Sequence, residues 1–502
     1  MFRLKSPAVM ILPAILIVFA VMVWLMIKNA EAPTPAQIKK MAAAGTFYPA
    51  DAQTLNQNLE KYLNEAEKVA LTNPLRILVA PHAGIIYSGR TAAAAYKLLM
   101  ESKIEKIILV GPSHYFQFAQ AAMIAGGSWE TPLGNLEIDG ELAKKILDPE
   151  EKIIEDASVF EKEHSLETQT IFLKKILPNV KIVPILLSVP SEELISALAY
   201  KIALNMNEKT LLVISTDLSH YPNYETANKV DLATIEGFLS GDKNRFEQTT
   251  AQTTSAKNPG VETLACGYEP LRVALKVAQL LKLDPPKLLK YENSGDVTGD
   301  KNRVVGYGAI AIEGTSIKFV TPILSDQAKK EALLIAKQTL RDFVQYKRLP
   351  GEIKVTSSEL ADPLGAFITL RNAGDLRGCI GEFSPAKPLY KVIQEKTVAA
   401  ASADPRFNPV RADELDKLAL EISVMTPRQR IYDWKQINPE TDGVVVINKN
   451  KSGTYLPQVA KETGWKLEEL LTHLCREKAG LADNCYLDKA TEIYTYQAQV
   501  FE

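Results

Sequence analysis

The sequence predicts an α/β domain built on a mostly parallel sheet flanked by helices, followed by a smaller α+β domain. Three observations carry this prediction. From about 42 to 314, apolar runs rich in β-branched residues, "RILVAP" (76–81), "KIILVGPS" (106–113), "VKIVPILLSV" (180–189) and "TLLVISTD" (210–217), are bounded by turn residues. Between them "GRTAAAAYKLLMESK" and "SLETQTIFLKKILPN" carry helical spacing. Strands that are apolar throughout and separated by helices are buried on both faces, as in a parallel sheet. Beyond about 322 strands and helices mix without strict alternation, which favours α+β. A chain of 502 residues has room for both, at about 150 residues per domain.

Taken in order, the chain opens with Arg3 and Lys5 and then an uncharged apolar run from Ala8 to Ile27. That run is long enough to cross a hydrocarbon core as a helix and longer than the apolar part of most cleaved signals. Pro33, directly after "AEA", also counts against cleavage. The expectation is a single-pass anchor or uncleaved signal over 1–30. Arg3 and Lys5 favour a cytoplasmic N-terminus and an extracytoplasmic globular part, although Lys28, Lys39 and Lys40 weaken the bias. "EAPTPAQ" (31–37) opens a linker over 31–41, and the first domain covers 42–314, closing with the Gly-rich "DVTGDKNRVVGYGAIAIEG".

The second domain, 322–502, starts with the amphipathic helix "LSDQAKKEALLIAKQTLRDFVQ". Strands "LGAFITLR", "LRGCIGEF", "LALEISVM" and "GVVVINK" follow, with helices expected around 387–401 and 456–478 and a last strand "EIYTYQAQVF". A net charge of −2 and the lack of a basic block give no footprint for nucleic acid. Four cysteines are too few for a disulfide scaffold, though Cys475 and Cys485 are close enough in sequence to pair. His473 and Cys475 lie two apart on an expected helix, hence on different faces, and are read as structural.

Four of the five histidines, His82, His114, His164 and His220, fall within 82–220. Three follow apolar runs: "RILVAP" leads into His82, "KIILVGPS" into His114, and "TLLVISTDLS" into Asp217 and His220. In an open parallel sheet, ligands bind beyond the carboxyl ends of the strands. Three strands therefore deliver imidazoles to one edge, with Gly84 and Gly89 allowing the first loop to close over it. His164, in "EKEHSLE", is either part of a helix start that the acidic side chains complement or an acid–base group oriented by Glu163 or Glu167. Cys266 precedes a helix whose first turn accommodates Pro270, a position that favours thiolate character. With His82 and His114 it makes a His₂Cys site suited to zinc, copper or iron.

In this order, "APHAG", "GPSH", "EHSLE", "STDLSH", "ACGYEP" and "SGDVTGD…VVGY" resemble the Memo-like family, protein B of the AmmeMemoRadiSam system. The resemblance implies a fold like the catalytic subunit of class III extradiol ring-cleavage dioxygenases. It implies metal ligation by His82, His114 and Cys266, with Asp217 and His220 nearby. Extradiol enzymes complete their triad with a carboxylate; here Cys266 stands at that place, with Glu262 and Glu269 the nearby alternatives. "LRGCIG" (376–381), "DPRF" (404–407) and "GTYLPQVAKETGW…KAGL" resemble the AMMECR domain, protein A of the same system. Cys379 is its reactive candidate, with Asp404 and Arg406 forming either a polar pocket with Arg377 or an ion pair. The system implies a radical SAM enzyme as partner.

The resulting expectation is a non-haem metalloprotein holding Fe(II), or copper or zinc, and acting oxidatively, in a dioxygenase-like manner, on a small organic or peptide substrate. In it His220 and His164 serve as acid–base groups and Asp217 orients one of them. Two alternatives stay open: a non-catalytic binding or scaffold module, since fold does not fix activity, and a zinc hydrolase.

Overall fold

The computed structural model describes residues 38–253, 258, 260–315, 324–349, 351, 353–362, 364–383, 387–426, 428–431 and 433–502. The expected anchor over 1–30 lies outside them. The membrane location expected from the sequence is corrected here: among the described residues no helix is long and apolar enough to cross a membrane.

The first domain is organised by an eleven-stranded sheet. Its centre places Lys181–Leu187, Lys106–Pro112, Thr210–Ser215 and Leu75–Ala80 side by side, all parallel. Gly306–Glu313 and Lys287–Asn293 extend it as an antiparallel margin. Leu75–Ala80 and Thr210–Ser215 are buried along their whole length, because helices cover both faces. One face packs on Leu59, Tyr96 and Phe172, the other on Leu198, Ile202, Val273 and Val277. The loop role expected for Gly89 is corrected. Gly89 lies inside the helix Ile85–Tyr96, and a Cβ there would stand 2.6 Å from the Tyr62 ring, so it permits close helix packing.

The second domain has two four-stranded antiparallel sheets. Helices Asp326–Tyr346 and Leu389–Ser402 pack on the first through Ala332, Ala336, Val392 and Ile393, against Ile368 and Ile422. The helix expected over 456–478 is divided. Gly464, at φ 71°, ends Gln458–Thr463 in a left-handed cap, and a new helix starts at Leu467. Cys475 and Cys485 form a disulfide, and the His473 ring stacks on Trp465 at 4.0 Å. Where the domains meet, Tyr200 joins the second domain's core, and fully buried Lys201 pairs with Asp148 at 2.9 Å and donates to the Arg428 carbonyl. Lys276 pairs with Asp362 across the same junction.

Candidate metal centre

The three central strands end next to one another, so the residues that follow them converge. His82 leaves Leu75–Ala80, His114 leaves Lys106–Pro112, and Asp217 and His220 leave Thr210–Ser215. Cys266 arrives from the opposite side, just before the helix Tyr268–Leu281. One donor atom from each of His82, His114 and Cys266 lies within 4.8 Å of the others. Cys266 Sγ is 3.2 Å from His82 Nε2. A second overlapping group, Asp217, His220 and Cys266, meets the same limit. Glu262 and Glu269 do not join the cluster: Glu262 faces Arg303 and Glu269 binds Arg272.

The neighbours orient the rings. His114 Nδ1 donates to Glu163 Oε1 at 2.9 Å, and a carboxylate can only accept, which leaves Nε2 with its lone pair. The Leu218 carbonyl, 2.9 Å from His220 Nδ1, fixes that ring in the same tautomer. Outer partners of this kind commonly orient metal-binding histidines. Asp217 orients neither His164 nor His220: its Oδ1 accepts from the backbone N–H of His82 (2.8 Å) and Ala83 (3.2 Å). Glu163 grips three further N–H groups, those of His114, His164 and Ser165. Glu167 is not a partner of His164. Wholly buried, it binds Lys39, the N–H groups of Ala42 and Ala43, and the Tyr48 hydroxyl, tying down the chain that precedes the site.

Burial governs the charges. It holds His82 well below the usual imidazole range, with His114 adding to the effect. Burial, with His82 and His114, brings His164 down to about 3, so that ring is neutral near neutral pH. Burial also works against ionised Glu163, but hydrogen bonds from His114 and from the Ser165 N–H overcome it and lower the carboxyl to about 2. Asp217 is raised by burial. The lowered thiol expected for Cys266 is corrected: burial, followed by the charge of Asp217, pushes it up. Two imidazoles with available nitrogens beside a thiol that needs a cation to ionise form a donor set that fits a soft or borderline metal ion.

The sequence did not reveal the walls. Phe47 lies over His164 at 4.2 Å, and Tyr115 meets the same ring edge-on at 6.0 Å. Tyr221 stands 5.6 Å from His220. Aromatic residues directly after "GPSH" and "STDLSH" were the available signal for the last two. In the second domain Cys379 sits on the edge strand Asp375–Glu382, far along the chain from this cluster. Its N–H donates to Asp404 Oδ2 at 2.8 Å, and Arg406 donates to its carbonyl at 3.2 Å. Asp404 and Arg406 form a two-pronged ion pair at 2.9 and 2.7 Å, while Arg377 turns away to Glu414. Of the two alternatives, a pocket with Arg377 or an ion pair, the structure has the ion pair.

Residues 39–311 match the model of the Memo-like protein family. The chain belongs to the Memo-like family. Behind the Memo-like domain, residues 333–501 match the AMMECR1 model. A MEMO1 family protein of Thermoplasma volcanium is 33% identical over 278 residues, 54% of this chain and 97% of that one. One from Methanococcus vannielii is 34% identical over 292 residues, 55% of this chain and 100% of its own. Both are spanned by the Memo-like half of this chain. A crystal structure of an uncharacterized protein from Pyrococcus horikoshii is 33% identical, with a TM-score of 0.34, covering 36% of this chain and 93% of that one.

Proposed function

We propose that the Memo-like domain is a non-haem metalloprotein in which His82, His114 and Cys266 hold iron(II) or copper for an oxidative reaction on a small organic or peptide substrate. The observation that carries this reading is the approach of three donor atoms, two imidazole nitrogens and one thiol sulfur, within 4.8 Å. When bound, such an ion supplies one-electron chemistry that none of the side chains provides. The chain's own residues do the rest. Asp217, whose Oδ1 is occupied by the backbone N–H groups of His82 and Ala83, presents Oδ2 beside the ligands, 3.8 Å from His82 Nε2. His220 Nε2, left with its lone pair, accepts a proton from substrate. His164, kept neutral, serves with Phe47 and Tyr115 as a wall for a flat or apolar part of the substrate. The fused AMMECR1 domain supports action beside a radical SAM enzyme.

The test is anaerobic purification of the full chain with element analysis and an electronic spectrum. One equivalent of iron or copper with a thiolate-to-metal charge-transfer band is the expected result. Full occupancy surviving His82→Ala combined with Cys266→Ser would overturn the assignment. Zinc with no redox response would transfer it to the hydrolytic reading.

A further inference from the structure

We infer that Ser215, its proton held by the Ser165 carbonyl, is a positioning residue that forces His82 into the Nδ1–H tautomer, so that its Nε2 lone pair points at Cys266. The inference follows from counting protons along a buried chain of four side chains. Tyr96, Gln169, Ser215 and His82 are each at most 1% exposed, so water does not complete their hydrogen bonds. Tyr96 Oη donates to Gln169 Oε1 at 2.7 Å. The other end of the amide, Nε2, lies 2.9 Å from the Pro81 carbonyl, which can only accept. The orientation of the amide is thereby fixed from both ends, and no flip satisfies it. Its second N–H is directed to Ser215 Oγ at 2.8 Å.

Ser215 then has a single proton, and the Ser165 carbonyl, 2.6 Å away, takes it. The hydroxyl accepts from Gln169 on one lone pair and has only the other left for His82 Nδ1 at 2.9 Å. His82 must therefore donate from Nδ1. Its Nε2 lone pair faces Cys266 Sγ at 3.2 Å. In the alternative tautomer two lone pairs would meet at 2.9 Å, leaving a buried acceptor unpaired. Packing maintains the arrangement. A Cβ on Gly111 would stand 2.5 Å from Leu166 Cδ2 and 3.2 and 3.3 Å from Ser165 Oγ and Ser215 Cβ, so glycine in the neighbouring strand lets this segment pack close to Ser215. His82 thus obtains from a neutral relay what His114 obtains from the Glu163 carboxylate.

The metal-binding part of the consequence rests on the proposed function; the tautomer does not. The experiment is ¹⁵N NMR of the imidazoles in metal-free, ¹⁵N-histidine-labelled full-length protein, with His82→Gln used to assign the signals. The expected result is His82 protonated at Nδ1, with Ser215→Ala moving it towards the Nε2–H form and Ser215→Thr, which keeps the hydroxyl, restoring it. Gln169→Leu leaves the Ser165 carbonyl holding the serine proton, so His82 is expected to stay protonated at Nδ1 in that variant. Titration of the same proteins with zinc against a chromophoric chelator is expected to show affinity about 10–100-fold lower in Ser215→Ala. Wild-type His82 protonated at Nε2, or a tautomer that ignores Ser215→Ala, would overturn the inference whatever the metal result. The Nδ1–H form in a protein that binds no metal would uphold the relay and sink the metal reading alone. Circular dichroism of each variant separates a lost relay from a lost fold.

Discussion

Glu163 binds His114 twice: Oε2 accepts the backbone N–H at 2.6 Å while Oε1 accepts the ring Nδ1–H at 2.9 Å. One carboxylate thus sets both the position of the loop and the rotation of the ring. Glu163→Ala is expected to lower metal affinity about 10–100-fold, and Glu163→Gln less, because its amide oxygen can still accept from Nδ1. Chelator competition with zinc measures both. Equal affinities in all three proteins would mean that the loop positions the ring without Glu163.

Glu167 is the most heavily used buried carboxylate near the N-terminal end of the described chain. Its side chain is fully buried, and Lys39, its ion-pair partner, is 6% exposed. Glu167→Ala leaves that cation and the Ala42 and Ala43 N–H groups without their acceptor. A loss of about 3–5 kcal/mol is expected, the range for breaking a buried ion pair from one side. Urea unfolding of the full chain measures it. A loss below 1 kcal/mol would show that water replaces the carboxylate.

These two glutamates show where sequence reasoning reached its limit. "EKEHSLE" placed both near His164, and either could have been its partner. The strand ends that deliver His82, His114 and His220 were legible because period and turn chemistry mark them. The distant partners of Glu163 and Glu167 were not, because they come from residues 39–48 and 114, separated along the chain and joined only by packing. The sense of the Cys266 shift was also hidden. The helix start is local and readable, whereas burial, which overrides it, depends on the closed fold. The cluster itself was visible in outline; its walls and proton positions required coordinates.

Asp231 gives the clearest pH dependence. Burial raises its carboxyl to about 6, against the Ser219 N–H and Tyr291 hydroxyl that favour the ionised form. The folded state therefore holds its proton more tightly than the unfolded state, whose value is 3.8. Its stabilising contribution is complete below that value and is lost as pH rises through about 6. Asp231→Asn is expected to flatten this part of the stability profile, measured by thermal melting between pH 4 and 7. An unchanged slope would remove Asp231 as its source.

The two free cysteines should separate on alkylation. Burial and Asp217 raise the Cys266 thiol, and its sulfur already accepts from the Asp217 N–H at 3.2 Å. Both thiols are partly buried, and Cys379, on its edge strand, is expected to react with iodoacetamide first in the folded protein. Peptide mass spectrometry over a time course reads the order. Cys266 reacting at the same rate would show that the site opens more readily than its packing implies.

The Asp404–Arg406 pair has a consequence for the open edge of the second domain's sheet. An edge strand invites another chain to extend the sheet, and exposed edges of this kind seed aggregation. At Cys379 the outward N–H and carbonyl are already taken by a carboxylate and a guanidinium, which mimic the missing neighbour strand. A second molecule seeking to stack there must first break a charged fork. The same two side chains that frame the thiol thereby close this stretch of the sheet edge to strand pairing.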